Sequence, residues 1–474
     1  MLERSKSADL VLELDFATAS STSPRRQFMK NVLDNHTSRI RELSLKNISS
    51  STLSTLLQNA QPSSFRVRSL QLVGPRNSGH VNPSFPIDVI ANSEGLLDLD
   101  VARCGIAWCS MPLTGLTSLK MVSNPTRPLW SDFIKALGDM PSLASLELQD
   151  SLPLADKLCR RTNNPIRLTK LRRLDLGSTA DINEVLNVLS YLVVPQVASI
   201  KIRGRNSTPQ NTSLSLVSDF ASSLSAFISE MISEDNRPMF YQELDAICTY
   251  YKLELTARRT SCKSDRIRRT SLPDLDFTIL DLCHSSEKVL QEFIKCLPLS
   301  KLKSLVLNAG ACKPVFLECF GNLQQLRSVT LKEGVIHSFL QMLMVKKGKK
   351  RDRKSYYKVT CPALQSLEIR GAIFSPDHED GLSFEELEDC LMERCNRNAP
   401  LRDLILSDCV NLFEEDVDLL REIVVDVDWD EYEEAYFSYD DDDDDDEDED
   451  EDEEEMYSSD YFDDYDDGDY YFTF

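Results

Sequence analysis

The chain has 474 residues, 41% of them hydrophobic and 28% charged, which is ordinary for a folded protein with a large buried core. Its net charge of −25 is uneven, because residues 426–474 hold 28 Asp and Glu and no Lys or Arg, leaving 50 acids against 53 bases in residues 1–425. No apolar run is long enough for a membrane span and the N-terminus does not read as a secretory signal, so no membrane association is expected, and thirteen cysteines without a CxxC pair point away from a zinc site or disulfide framework and toward the cytoplasm or nucleus.

In chain order, Leu10 to Phe16 reads as a first strand and "PRRQFMKNVLDNH" (24–36) as a helix. A six-residue phrase, apolar-x-x-Leu-x-Leu, then recurs: "IRELSL" from Ile40, "VRSLQL" from Val67, "LLDLDV" from Leu96, "LTSLKM" from Leu116, "LASLEL" from Leu143, "LRRLDL" from Leu171 and "VASIKI" from Val197. It resumes as "FTILDL" from Phe277, "LKSLVL" from Leu302, "LRSVTL" from Leu326, "LQSLEI" from Leu364 and "LRDLIL" from Leu401, with a weaker copy, "YYKLEL" from Tyr250, in the gap. Copies start 20 to 38 residues apart, with one step of 53, mostly within or near the spacing of leucine-rich repeats.

Between copies the apolar period lengthens from two to about 3.6, as in "LWSDFIKALGDM" (129–140), "DINEVLNVLSYL" (181–192) and "SSEKVLQEFIKCL" (285–297). Each unit therefore predicts a helix, a break and a short strand. Pro141, Pro195, Pro298, Pro362 and Pro400 stand just before strands, where a residue lacking an amide hydrogen stops one element and lets the next begin extended. "FEEDVDLLREIVVDVDW" (413–429) reads as a terminal helix closing the last repeat.

One unit cannot fold alone. Burying three strand residues yields about 5 to 9 kcal/mol, which does not offset ordering a whole repeat at about 1 to 2 kcal/mol per residue. Stacked neighbours supply the missing burial, so the expected fold is α/β: a leucine-rich-repeat solenoid, or horseshoe, with a parallel concave sheet and convex helices. It should span residues 1–425 in about 13–14 repeats, with insertions near 203–249, 256–275 and 345–358, followed by an acidic, aromatic-containing tail at 426–474. Sixteen consecutive acids at 440–455 repel one another and cannot bury a core, so this tail is expected to be disordered.

Function in such an array belongs to the residues between the inward leucines, which a solenoid displays as one surface. The candidate partner-binding row is Asp100, Lys120, Glu147, Asp175, Lys201, Glu254 and Asp281, flanked by recurrent serines such as Ser69, Ser118, Ser145, Ser304 and Ser328. Its mixed charge favours a protein or peptide ligand over nucleic acid, which calls for a single positive stripe. A candidate basic signal lies in "KKGKKRDRK": Lys346, Lys347, Lys349, Lys350, Arg351, Arg353 and Lys354, in a loop at one rim. It suits nuclear import or anion binding, with a solvated loop as the plainer reading. Two Arg-Arg-Thr-Ser phrases make Ser261 and Ser271 candidate phosphosites, where a phosphate would cut the local positive charge. The five histidines fall in different units and match no catalytic or metal spacing, and no phosphate-cradling glycine loop is present. No enzymatic activity, cofactor or metal is therefore expected.

The repeats resemble the leucine-rich-repeat portion of F-box proteins, and the opening "LERSKSADLVLELDF" resembles the junction just after the F-box in large fungal families of that type. The resemblance implies a substrate receptor of an SCF-type ubiquitin ligase. The F-box, a helical segment that would lie upstream, is not in this chain, so the ligase adaptor is an expected partner only if such a segment precedes Met1. A second reading remains open. Repeats followed by an acidic tail also resemble acidic leucine-rich nuclear proteins, which implies binding of histones or another basic protein through the tail; folding back on the basic loops and simple solubility are the alternatives for that segment.

Overall fold

The computed structural model describes residues 7–17, 24–57, 66–76, 84, 95–108, 114–154, 165–207, 213–231, 239–249, 251–259, 273–282, 286–309, 317, 320–332, 334–344, 346–349, 355–375 and 381–434. The chain divides into Met1–Ala435 and Tyr436–Phe474. The expected disorder of the acidic tract falls outside the described residues, as do the expected phosphosites Ser261 and Ser271.

The described strands in the first half are β1 (Leu10–Asp15), β2 (Ile40–Lys46), β3 (Ser69–Val73), β4 (Asp98–Ala102), β5 (Ser118–Val122), β6 (Ser145–Gln149), β7 (Ile166–Arg167), β8 (Arg173–Ser178), β9 (Leu192–Val193) and β10 (Ser199–Arg205). In the second half they are β11 (Glu243–Cys248), β12 (Lys252–Arg258), β13 (Leu275–Leu280), β14 (Ser304–Ala309), β15 (Ser328–Lys332), β16 (Lys346–Lys349), β17 (Ser355–Lys358), β18 (Ser366–Arg370), β19 (Asp403–Ser407) and β20 (Asp426–Trp429). Helices are α1 (Pro24–His36), α2 (Ser50–Leu57), α3 (Trp130–Gly138), α4 (Ile182–Leu189), α5 (Ser213–Glu230), α6 (Ser286–Cys296), α7 (Val335–Leu343), α8 (Phe384–Asn396) and α9 (Glu414–Ile423).

The fold is α/β, built on one sixteen-stranded, mostly parallel sheet in the order β1-β2-β3-β4-β5-β6-β8-β10-β13-β12-β11-β14-β15-β18-β19-β20. The sheet does not close on itself, since β1 and β20 are its two ends. With the exception of the phrase at Phe277, the repeat phrases contribute their two leucine positions to one face. Leu43, Leu70, Leu99, Leu119, Leu146 and Leu174 are register neighbours across six strands, all buried with the helix residues Phe133, Val185, Phe293 and Phe339 in one continuous core. At Gly204 in β10 a Cβ would lie within 3.0 Å of the Ile182 side chain and backbone, so α4 packs against the strand only because a glycine is there.

Seven strands leave the sheet through the same left-handed step. Asn47, Arg103, Ser123, Asp150, Asp281 and Asp408 directly follow β2, β4, β5, β6, β13 and β19 with φ between 49 and 58°, and Gly371 follows β18 with φ 69°. Asn, Asp and Gly are the residues that tolerate this region best. The step keeps the ladder going: Asp150 N–H donates to Gly177 O at 2.9 Å, and Ser123 N–H to Gln149 O at 2.8 Å.

Three parts of the chain depart from the expected pattern. The copy at Tyr250 is a strand, but an antiparallel one: β12 runs against both β11 and β13, because a hairpin turns the chain back within the expected insertion. The chain passes from β10 through α5 to β11, returns through β12 to β13 beside β10, and crosses through α6 to β14 beside β11. The expected helix over 413–429 stops at Ile423, and Asp426–Trp429 instead extends the sheet beside β19, past the residue where the tail was expected to begin. The basic phrase is not simply a loop. Lys346, Lys347 and Lys349 lie in β16, which pairs with β17 as a separate hairpin, while Lys350, Arg351, Arg353 and Lys354 lie outside the described residues.

The base of that hairpin is held by Arg394, whose side chain is fully buried. Its guanidinium donates to Thr360 O at 2.8 Å and Cys361 O at 3.1 Å, and the Thr360 hydroxyl donates to Met342 O at 2.8 Å. Burial pushes the Arg394 guanidinium below its usual pKa. Arg394→Ala strands the Thr360 carbonyl, leaves Cys361 O with the Leu364 N–H alone at 3.1 Å, and opens a cavity, so it should destabilise the fold by about 3 kcal/mol, read as a lowered denaturant midpoint without a change in slope.

Burial also silences thiols. The pKa of Cys104 is pushed up to about 12, and those of Cys361, Cys390 and Cys409 to about 11. A group whose neutral form is favoured stays a thiol until pH reaches the raised value, so at pH 8 only about one in a thousand of the latter three is a thiolate. Iodoacetamide at pH 8, mapped by peptide mass spectrometry, should label exposed Cys395 in the native protein and spare these four until denaturant is added.

Candidate functional site

Because side chains alternate along a strand, burying the leucines turns the residues between them to the opposite face. There the register assembles one unbroken row: Glu13, Ser44, Gln71, Asp100, Lys120, Glu147, Asp175 and Lys201 on β1 to β10. It continues through Asp276, Thr256, Asp245, Val306, Thr330, Glu368, Ile405 and Asp428 on β13 to β20. A parallel row beside it carries Ser69, Ser118, Ser145, Ser199, Ser304, Ser328 and Ser366.

Of the seven candidates read from sequence, Asp100, Lys120, Glu147, Asp175 and Lys201 are consecutive members of the row. Glu254 and Asp281 are not. Glu254 stands beside Thr278 and Ile247, one row away, because its strand runs antiparallel and pairs in a different register. Asp281 lies past the end of β13 with φ 58° and bonds Arg205 at 2.7 Å, so it turns the chain rather than lining the row. In β13 the inward residues are Leu275, Phe277 and Ile279 rather than Leu280, while Leu282 is buried beyond the end of the strand; a shift by an odd number of residues exchanges the two faces. The members missed in sequence are Glu13 and Asp428 at the two ends, and Asp276, Thr256 and Asp245 in the middle. Of the last three, alternation in "LDFTIL" carried the signal for the first, whereas Asp245 sits between Leu244 and the small Ala246, where the leucine phrase is too weak to detect.

The centre of the row is electrically self-sufficient. Lys120 pairs with Glu147 at 2.9 Å and Lys201 with Asp276 at 3.1 Å. Asp175, only 2% exposed, accepts from Arg203 at 3.0 Å and from the Gln149 amide at 2.7 Å, with Arg173 3.8 Å away. Arg173 also approaches Glu147 at 3.9 Å, which links the strands β5 to β10 into one charge network. Toward β14 and β15 charge disappears: the outward positions there are Ser304, Val306, Asn308, Ser328 and Thr330, with Lys332 the one cation. A partner on this stretch displaces no ion pair. Among the described residues no group of three or more His, Cys, Asp or Glu is placed to hold a metal ion, and no helix is long and apolar enough to cross a membrane.

The Asp175 carboxylate depends on Arg203 for most of its compensation. Arg203→Met should destabilise the protein by about 2 kcal/mol, less than a fully buried pair because the arginine is about one-fifth exposed. Adding Asp175→Asn should restore part of the loss, so thermal melts of the two single variants and the double variant should give a non-additive cycle.

No family model matches this sequence, and no curated protein matches it either, so its functional reading rests on the chemistry of this face.

Proposed function

We propose that the sheet and its helices form a leucine-rich-repeat solenoid that acts as a non-enzymatic recognition scaffold, with the row from Glu13 to Asp428 as its concave, partner-binding face. The observation that carries this is the row itself: sixteen strands bring one outward residue each into continuous register, while the remaining chemistry of the strands is spent on the core. Mixed charge through the middle favours a folded protein partner, whose own donors and acceptors can pair along the row. The serines beside it are short and leave room for a partner's side chains to reach the sheet. On the resemblance of the repeats and of the "LERS" opening, the bound protein is a substrate of an SCF-type ubiquitin ligase. This chain supplies target recognition, and an F-box outside it would supply the adaptor contact.

The test is capture followed by cross-link mapping. Full-length protein is used to pull partners from extract, and cross-links from Lys120 and Lys201 locate the contact. A variant with arginines on the serine row, Ser118→Arg with Ser145→Arg and Ser328→Arg, should lose roughly tenfold in capture of the cross-linked partner while keeping its melting temperature. Undiminished capture removes the face from the reading, and capture reproduced by residues 436–474 alone points instead to the acidic tail and a histone-like basic partner. Ubiquitin conjugates of the captured protein should rise with the level of this chain in cells; unchanged conjugates remove the ligase assignment and leave recognition standing.

A further inference from the structure

The edge of the sheet where strands begin carries a second surface. Two residues before the first inward apolar residue of each strand lies a position whose backbone continues the ladder: Lys303 N–H donates to Gln242 O at 2.8 Å, Arg327 to Lys303 O at 2.8 Å, Gln365 to Arg327 O at 2.9 Å and Arg402 to Gln365 O at 2.8 Å. Side chains along this line are therefore neighbours, Gln242, Lys303, Arg327, Gln365 and Arg402, with three cations and no acid. The Lys303 ammonium reaches only an amide, Gln242 Oε1 at 3.0 Å. Arg327 is exposed and has no ion-pair or hydrogen-bond partner for its guanidinium among the described residues, and Arg402 has Asp403 at 3.6 Å. Lys301 adds a fourth cation, 4.4 Å over the Phe240 ring. Next to the line on the outward face are Ser304, Ser328 and Ser366. The contrast with the row around Asp175 is sharp: there each cation has a carboxylate, whereas here Lys303 reaches an amide, Arg327 has no acid beside it among the described residues, and Arg402 has only its exposed chain neighbour Asp403.

A cleft opens at the same edge. The loops leading into β14 and β15 part to leave about 360 Å³, lined by Ile294, Leu297, Leu299 and Leu323 with Ser300 and Gln324 among the polar walls. Four residues beyond Leu323 the chain reaches Arg327, and four beyond Leu299 it reaches Lys303. An apolar hollow large enough for a bulky side chain thus lies within four residues of chain of two of these cations. At about 4.8 Å per strand, Lys303 to Arg402 spans roughly 14 Å, the length of about four residues of extended chain.

We propose that this edge, from the cleft before β14 to Arg402, is a docking site for an acidic segment of a partner protein that carries one large apolar side chain. The carboxylates lie along Lys303, Arg327 and Arg402, and the apolar side chain enters the cleft between Leu299 and Leu323. Charge complementarity selects the sign of the segment, and the cleft selects a peptide over a polynucleotide, whose bases call for exposed aromatic platforms in place of an aliphatic hollow. The site is separate from the row described above and stands whether or not that row binds a target.

Full-length protein is titrated into a fluorescein-labelled peptide rich in Asp and Glu with one central Phe, and anisotropy is read. Binding should weaken as salt rises. Lys303→Glu with Arg327→Glu should weaken it roughly tenfold or more, and so should replacing the peptide's Phe by Ser, whereas the Ser118→Arg, Ser145→Arg variant should bind as the wild type does. Lys301→Gln, at a surface position that leaves the fold intact, should give a smaller loss. The proposal is overturned by no binding at roughly 100 µM protein, by binding indifferent to the Lys303 and Arg327 reversals, or by a labelled oligothymidylate binding more tightly than the peptide.

Discussion

Apolar side chains stacked in register from strand to strand are the contact on which everything else here depends. Leu45, Leu72, Val101, Met121, Leu148 and Leu176 lie side by side on six consecutive strands, none more than 1% exposed. Once those positions are committed to the core, the residues between them have no choice of face. The functional surface is thus a by-product of burial. It also explains why no single repeat contains a site: each strand offers one outward residue per row, and only the neighbours' alignment turns these into a surface.

Most of the helix-break-strand alternation could be read directly, because leucine at fixed intervals signals both the strand and its inward face. Helices α1, α3 and α6 fall within a residue or two of where their periodicity placed them, and α4 ends three residues early at Leu189. Legibility failed where apolar residues stopped being diagnostic. "FTILDL" and "LDFTIL" overlap, and both alternate; only the pairing of β13 with β10 decides between them, and that is a long-range contact. Strand direction was equally hidden, since a leucine pattern reads the same for a parallel strand and for one returning through a hairpin. The strand at Asp426–Trp429 was masked by composition, because Asp at alternate positions reads as tail, although Val427 and Trp429 pack against the core.

Charge is handled in two ways in the same sheet. On the outward face, acids and bases of neighbouring strands neutralise each other, so the Asp175 carboxylate can sit almost wholly buried without being left alone. At the starting edge of β14, β15 and β19 cations outnumber acids, with Asp403 beside Arg402 the one ion pair described there. The first arrangement stabilises register between strands at modest net energy; the second leaves electrostatic work undone by the protein itself. The buried Arg394 shows a third solution, a cation compensated by carbonyls of the chain it clamps.

The excursion through β11, β12 and β13 has a consequence for how this chain is made. The eight strands from β1 to β10 end in an edge whose partner, β13, is the last of the three to be synthesised, about seventy residues after β10. At ribosomal speeds of roughly 5–20 residues per second, the emerging N-terminal half carries an open row of amide and carbonyl groups for some seconds. The aggregation risk at this edge is therefore placed in time, during translation, and ends when the meander slots into the gap beside β10.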